Sequence, residues 1–148
     1  MKIEITKGTH ISKKWGYETV IANDKEAGYC GKILTVLPSG NCSSIHYHVL
    51  KTETFWVLSG GLCLELYELK WESSAHPGSL ELSDFGNPRR LILPAGTGIK
   101  VPPYTAHRFW ARDKVCEFIE FSTVDNPSDT RRLIGSGPIP LALRKSPS

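Results

Sequence analysis

The chain is written as short runs of β-branched and aromatic residues, each cut off after a few positions by glycine, proline, asparagine or serine. The runs "KIEIT", "YETVIA", "CGKILTVL", "SSIHYHVL", "TFWVLS", "LCLELYEL", "RRLILPA", "GIKVPP", "HRFWAR" and "VCEFIEFSTV" all have strand length and composition, and few segments carry a helical apolar period. Alternation is clearest in "LCLELYEL", where Leu62, Leu64 and Leu66 fall on one face and Cys63, Glu65 and Tyr67 on the other. With 13 Gly and 10 Pro to make turns, the pattern predicts an all-β sandwich or barrel.

A chain of 148 residues suits one domain, since a single core covers about 100 to 200 residues. The barrel is expected over residues 1–135 and a C-terminal tail, loose or docked, over 136–148. The polar stretch "KWESSAHPGSLELSDFGNPRR" reads as an excursion between two halves of the sheet. No apolar run approaches the ~20 residues of a membrane span, and "MKIEITKGTH" lacks an apolar signal core, so a cytoplasmic protein without a membrane partner is expected. The net charge is only +3, and basic residues are scattered apart from Arg89-Arg90, Arg131-Arg132 and Arg144-Lys145, which argues against nucleic acid. Cys30, Cys42, Cys63 and Cys116 form no CxxC pair and read as reduced, buried thiols.

Strand parity gives the histidines their meaning. His46 and His48 project from one face of "SSIHYHVL", about 6.5 to 7 Å apart along the chain. Glu53 follows a short turn and starts the next strand, so it can return as an anionic third ligand; Gly60-Gly61 then closes that strand. In "GTGIKVPPYTAHRFW", His107 follows the Pro102-Pro103 pair at the edge of a strand and offers a fourth. Three imidazoles and a carboxylate suit one divalent transition metal, Mn, Fe, Ni or Zn, and leave positions open for a substrate. Cys42 and Ser44 share the parity of His46 and His48, as residues filling the interior or lining a cavity. His10 and His76 stand alone and read as ordinary core or surface histidines.

Gly40, His46, His48, Glu53 and Gly60 match every position of the first cupin motif, G-x5-H-x-H-x4-E-x6-G. Gly96, Pro102 and His107 match the second; Tyr104 stands where glycine is usual and Ala111 where asparagine is usual. The chain therefore resembles the metal-dependent cupin superfamily. That resemblance implies a single-domain jelly-roll barrel, a double-stranded β-helix, holding a metal by His46, His48, Glu53 and His107.

"KKWGYETVI" is similar to the entry segment of the cupin domain in type II phosphomannose isomerases. "EFIEFSTVDNPSDTRRL" resembles their closing segment, with Glu120, Asp129, Arg132 and Leu133 at corresponding places. "HYH", "ETFWVLSGG" and "VPPYTAHR" look like the motifs of cupin-type phosphoglucose isomerases. Both likenesses imply aldose–ketose isomerisation of a sugar or sugar phosphate. The candidate acid–base residues are Glu120, which lies in an apolar strand, then Glu65 and Tyr104. Lys100 and Arg132 are candidate substrate or phosphate clamps, whereas Arg108 should point away from the metal. Trp15 and Glu18 are expected to cap the sheet. The alternatives are a non-catalytic sugar-binding or regulatory cupin and an Fe(II)-dependent dioxygenase. Edge strands near the N-terminus favour a homodimer.

Overall fold

The computed structural model describes residues 2–70 and 79–144. Its strands are β1 (Thr9–Lys13), β2 (Gly16–Asp24), β3 (Tyr29–Val36), β4 (Asn41–Cys42), β5 (Ile45–His48), β6 (Glu53–Ser59) and β7 (Gly61–Glu68). They continue as β8 (Arg89–Pro94), β9 (Gly98–Val101), β10 (Thr105–Ala111), β11 (Cys116–Ser122), β12 (Thr130–Ile134) and β13 (Gly137–Pro138), and a single turn of helix, α1, spans Leu141–Arg144. Every pairing between strands is antiparallel. One sheet runs β1-β2-β3-β11-β6-β9, a second runs β12-β5-β10-β7-β8, and β13 pairs with β4. Distant segments such as β3 and β11, or β5 and β10, lie side by side, which is the sandwich-like jelly-roll barrel that the turn-punctuated pattern predicts.

The segment "KIEIT" is a correction. Lys2–Gly8 form no strand, and Ile3 and Ile5 are 89% and 98% exposed. Alternation gives them a strand's pattern, but they pair with no strand among the described residues. The strand β12, in contrast, went unread because "TRRLI" has no alternation of apolar residues; it is held by its pairing with β5. His76 and most of the polar excursion, residues 71–78, lie outside the described residues, as do residues 145–148.

Apolar side chains from both sheets meet between them, among them Leu34, Phe55, Val57, Leu64, Phe109 and Phe118. The second sheet is buried on its other face as well. There Ile45, Tyr47, Tyr67 and Ala106 pack with Leu80 and Phe85, and Cys63 and Trp110 pack with Ile139 and Leu143. Both faces of "LCLELYEL" are thus covered, and residues 137–144 are docked through β13 and Leu143. The four cysteines are buried and unpaired. Among the described residues no helix is long and apolar enough to cross a membrane.

Gly40, Gly60 and Gly96, the motif glycines, all have positive φ, at 79°, 74° and 82°. Gly60 is the most confined, since a Cβ there would lie 2.4 Å from the Val115 carbonyl oxygen, whereas Gly40 has open space. Gly40→Ala should therefore cost only the left-handed strain, about 1–3 kcal/mol, and Gly60→Ala clearly more. Urea unfolding of both variants checks this; equal losses would show that the Val115 contact relaxes freely.

Candidate metal centre

Parity on β5 sends Ile45 and Tyr47 outward and His46 and His48 inward. β10 lies antiparallel to β5 with His107 directly opposite His46, so the third imidazole arrives from a strand some sixty positions later in the chain. One ring nitrogen from each of His46, His48 and His107 lies within 4.8 Å of the others. Glu53, first residue of β6, closes the group with Oε1 3.4 Å from His48 Nε2 and Oε2 3.2 Å from His107 Nε2.

The imidazoles are oriented by bonds on their far side. His107 Nδ1 lies 2.9 Å from the Thr105 carbonyl, and His46 Nδ1 lies 3.2 Å from the Ser44 carbonyl and 3.0 Å from its hydroxyl. A carbonyl only accepts, so Nδ1 carries the proton in both rings and each Nε2 keeps its lone pair for the centre. His48 Nδ1 faces Thr130 Oγ1 at 3.4 Å and Asp129 Oδ2 at 3.9 Å. Asp129 also accepts the backbone N–H groups of Leu50 and Lys51, at 2.9 and 3.0 Å, and so clamps the turn that sets His48 against Glu53.

The donor set fits a metal. Four buried side-chain atoms among the described residues lack a hydrogen-bond partner, and three of them are His48 Nε2, His107 Nε2 and Glu53 Oε2. Buried polar atoms rarely stay unsatisfied, and one divalent ion would serve all three. Burial, and then the neighbouring His107, holds His46 well below the ordinary histidine range, which keeps it neutral and ligand-competent. Burial works to raise Glu53, but the adjoining imidazoles of His107 and His48 and the charge of Lys51 outweigh it and hold its carboxyl well below the usual range.

Beside this cluster lies a cavity of about 320 Å³, walled by apolar side chains such as Trp15, Leu34, Phe55 and Phe109 and by a network of charges. Lys51, only 3% exposed, reaches Glu120 Oε2 at 2.9 Å, Asp125 Oδ1 at 3.2 Å and Glu53 Oε1 at 3.3 Å. Lys32 continues the chain to Asp125 Oδ2 at 2.7 Å and Glu18 Oε1 at 3.8 Å. Burial, and then repulsion from Glu53, pushes Glu120 up to about 7 against the pull of Lys51 and Lys32.

Of the residues singled out in the sequence, Glu120 and Arg132 line this cavity, Glu120 deep within and Arg132 at the exposed rim. Ser44, Trp15 and Glu18 line it too, while Cys42 turns outward into the cluster with Trp110. Glu65, Tyr104 and Lys100 are not brought to it. Glu65 is fully buried on the other side of the second sheet, bonded to Tyr67, Arg90 and Arg108. Tyr104 packs against Tyr47, ring centroids 6.0 Å apart, on that same outer side. Lys100 is exposed on the edge strand β9. Arg108 points away from the histidine triad, as parity requires.

The two motif departures now have a physical reading. Tyr104 keeps the left-handed conformation for which glycine is usual, with φ 59°, and its ring stacking offsets part of that strain. Ala111 is buried among apolar side chains, where an asparagine amide would lack partners. Lys32, Lys51 and Asp125 went unread. The available signal for Lys32 was its parity with Cys30 and Leu34 on an otherwise apolar face; for Lys51 there was none, because its direction depends on the turn that Asp129 clamps.

The family described as D-lyxose isomerase matches residues 16–134. No curated protein matches the chain. Among solved structures, CapF, the capsular polysaccharide assembling protein of Staphylococcus aureus, superposes with a TM-score of 0.66 at 16% identity, over 86% of this chain and 34% of that one. Oxalate decarboxylase of Lactobacillus farciminis gives 0.64 at 17% identity, over 85% and 34%. KdgF of a Halomonas species gives 0.53 at 16% identity, over 75% and 80%. The chain spans about a third of the length of the first two. These likenesses carry the cupin barrel. The family match carries a sugar isomerase family, though not the finer resemblance to phosphomannose isomerases.

His46→Ala, His48→Ala, Glu53→Gln and His107→Ala should each lower metal content severely. Asp129→Ala, which removes only the clamp and the distant contact to His48, should lower affinity by about 10- to 100-fold. Metal analysis after dialysis against a graded chelator reads both; stoichiometric metal in all four ligand variants would remove the assignment.

Proposed function

This chain belongs to the D-lyxose isomerase family, and from that premise we propose that it interconverts a free aldose, D-lyxose foremost, with its 2-ketose. The observation that carries the reading is Glu120: a carboxylate in the same cavity as the histidine triad, tethered by Lys51 and poised near neutrality. His46, His48, His107 and Glu53 would hold one divalent transition metal, Mn, Fe, Ni or Zn, which when bound supplies Lewis acidity toward the sugar oxygens at C1 and C2.

The protein supplies the proton traffic. Glu120 takes the proton from C2 of the aldose and returns it to C1, while a second proton passes from the C2 hydroxyl to the C1 oxygen, so atoms and electrons balance without an oxidant. Lys51 positions Glu120 and, through Glu53, couples it to the ligand set. Burial of the base excludes water and lifts its basicity.

The charge pattern supports a neutral sugar. Lys32 and Lys51 are both bonded to carboxylates, and Lys13 lies 4.0 Å from Glu18. Arg132 alone among the lining cations forms no ion pair among the described residues, so a phosphate dianion would find one exposed guanidinium rather than a cradle. Ring hydroxyls suit the alternating donors and acceptors of Glu18, Lys32 and Asp125. The expected cytoplasmic homodimer goes with this reading, and the wholly exposed edge strand β1 offers a pairing surface.

Metal-loaded protein should convert D-lyxose to D-xylulose, detected by ketose formation, and should prefer free sugars to their phosphates; no exchange with lyxose, mannose or glucose would reject the activity. Glu120→Gln should keep its metal and lose about 10²- to 10⁴-fold in kcat.

The base works ionised, so kcat/KM should rise with pH through a limb at or below about 7, a bound cation drawing the Glu120 pKa downward. A profile with no fall on the acid side would place the base elsewhere.

A further inference from the structure

The outer face of the second sheet is layered by its register. One row crosses it as Arg108, Glu65 and Arg90, and the next as Trp110, Cys63 and Ile92. The first row is ionic: Glu65 accepts from Arg90 Nε at 3.0 Å and from Arg108 Nε at 2.9 Å. The second is apolar, with Cys63 and Trp110 packed under Ile139 and Leu143.

Beside these rows and α1 lies a cavity of about 250 Å³ that shares no residue with the metal-centre cavity. Trp110, Ile92 and Leu143 give it an apolar floor, and Arg90, Arg112 and Arg144 stand around it. Among the described residues no carboxylate lines it, and Glu65 reaches Arg90 from beneath. Arg90 is oriented through Nε by Glu65 and Arg144 through Nε by the Ile139 carbonyl, and each guanidinium carries further donors on its Nη groups.

We propose that this slot binds a monocarboxylate with a compact apolar body, an aromatic acid or a short fatty acid. Guanidinium forks match a carboxylate's two oxygens, and an indole beside branched aliphatic side chains matches a ring or short alkyl chain. The volume lies just below the ~300–1,000 Å³ of pockets that take drug-sized ligands, which limits the body to a small one. A sugar is disfavoured, because its hydroxyls would lose water against the apolar floor. Inorganic phosphate is disfavoured too, because it leaves that floor uncovered. The inference is independent of the isomerase reading.

The test titrates the metal-loaded protein with benzoate, hexanoate, benzyl alcohol and inorganic phosphate by calorimetry, and follows the tryptophan indole N–H resonances. One equivalent of benzoate or hexanoate should bind and move the Trp110 resonance, while Trp15, which lines the metal-centre cavity, stays in place. Arg112→Gln and Arg144→Gln, both at exposed positions, should keep their metal and each weaken binding about tenfold or more. Benzyl alcohol and phosphate should bind at least about tenfold more weakly than the acids. The proposal is overturned if neither acid saturates, if both arginine variants bind as the parent does, if phosphate or the alcohol binds equally well, or if Trp15 responds instead of Trp110.

Discussion

Inside the barrel a single ammonium group, Lys51, sits within reach of three carboxylates, Glu53, Glu120 and Asp125, and almost no solvent touches it. Burying a charge costs several kcal/mol, and the cost is offset only when every partner is in place. Removing one partner from such an arrangement typically costs about 3–5 kcal/mol, because the others are left buried and unpaired. Lys51 lies in the turn before β6, Glu53 begins β6, Glu120 is on β11 and Asp125 is in the loop that follows it. One ammonium therefore ties a ligand, the candidate base and two segments of the first sheet into one geometry. Burial, outweighed by Glu120, Glu53 and Asp125, leaves Lys51 well above the ordinary lysine range, so it stays charged at any working pH.

The second sheet supplies the complementary constraint. It carries all three histidines on its inner face, and its outer face is covered by Leu80 and Phe85 at one end and by Ile139 and Leu143 at the other. A sheet buried on both sides has little freedom to shift its register, and one residue of slip would turn His46 and His48 away from the centre. The ionic row of Arg108, Glu65 and Arg90 lies between the two covers, where Glu65 is satisfied from three directions. The structural carboxylate Glu65 and the candidate base Glu120 thus sit on opposite sides of one sheet, distinguished by what surrounds them rather than by residue type.

Much of this was legible in the sequence because strands alternate and turns have a chemistry. Most of the strand runs, the inward pair His46 and His48, and the outward Arg108 all follow from a period of two. "KIEIT" shows the limit: Ile3 and Ile5 alternate well, yet a strand exists only where a neighbour's backbone is available to pair with it. Glu65 shows the same limit for function. Parity placed it opposite Leu62, Leu64 and Leu66, but whether that opposite face looked into a cavity or into a ring of arginines depended on residues far along the chain.

What the sequence determined by itself is the candidate ligand set, since three histidines and a glutamate at motif spacing, with glycines at the bends, leave few other uses for those residues. The tertiary structure decided the chemistry around it. Lys32, Lys51, Asp125 and Asp129 are unremarkable in the sequence, and they acquire their roles only when β3, the β5–β6 turn and the segment after β11 close on one another. A lone charge in a sequence carries no sign of burial. Its energy is set by the distance to opposite charges and by the water left around it, and both quantities exist only in the folded barrel.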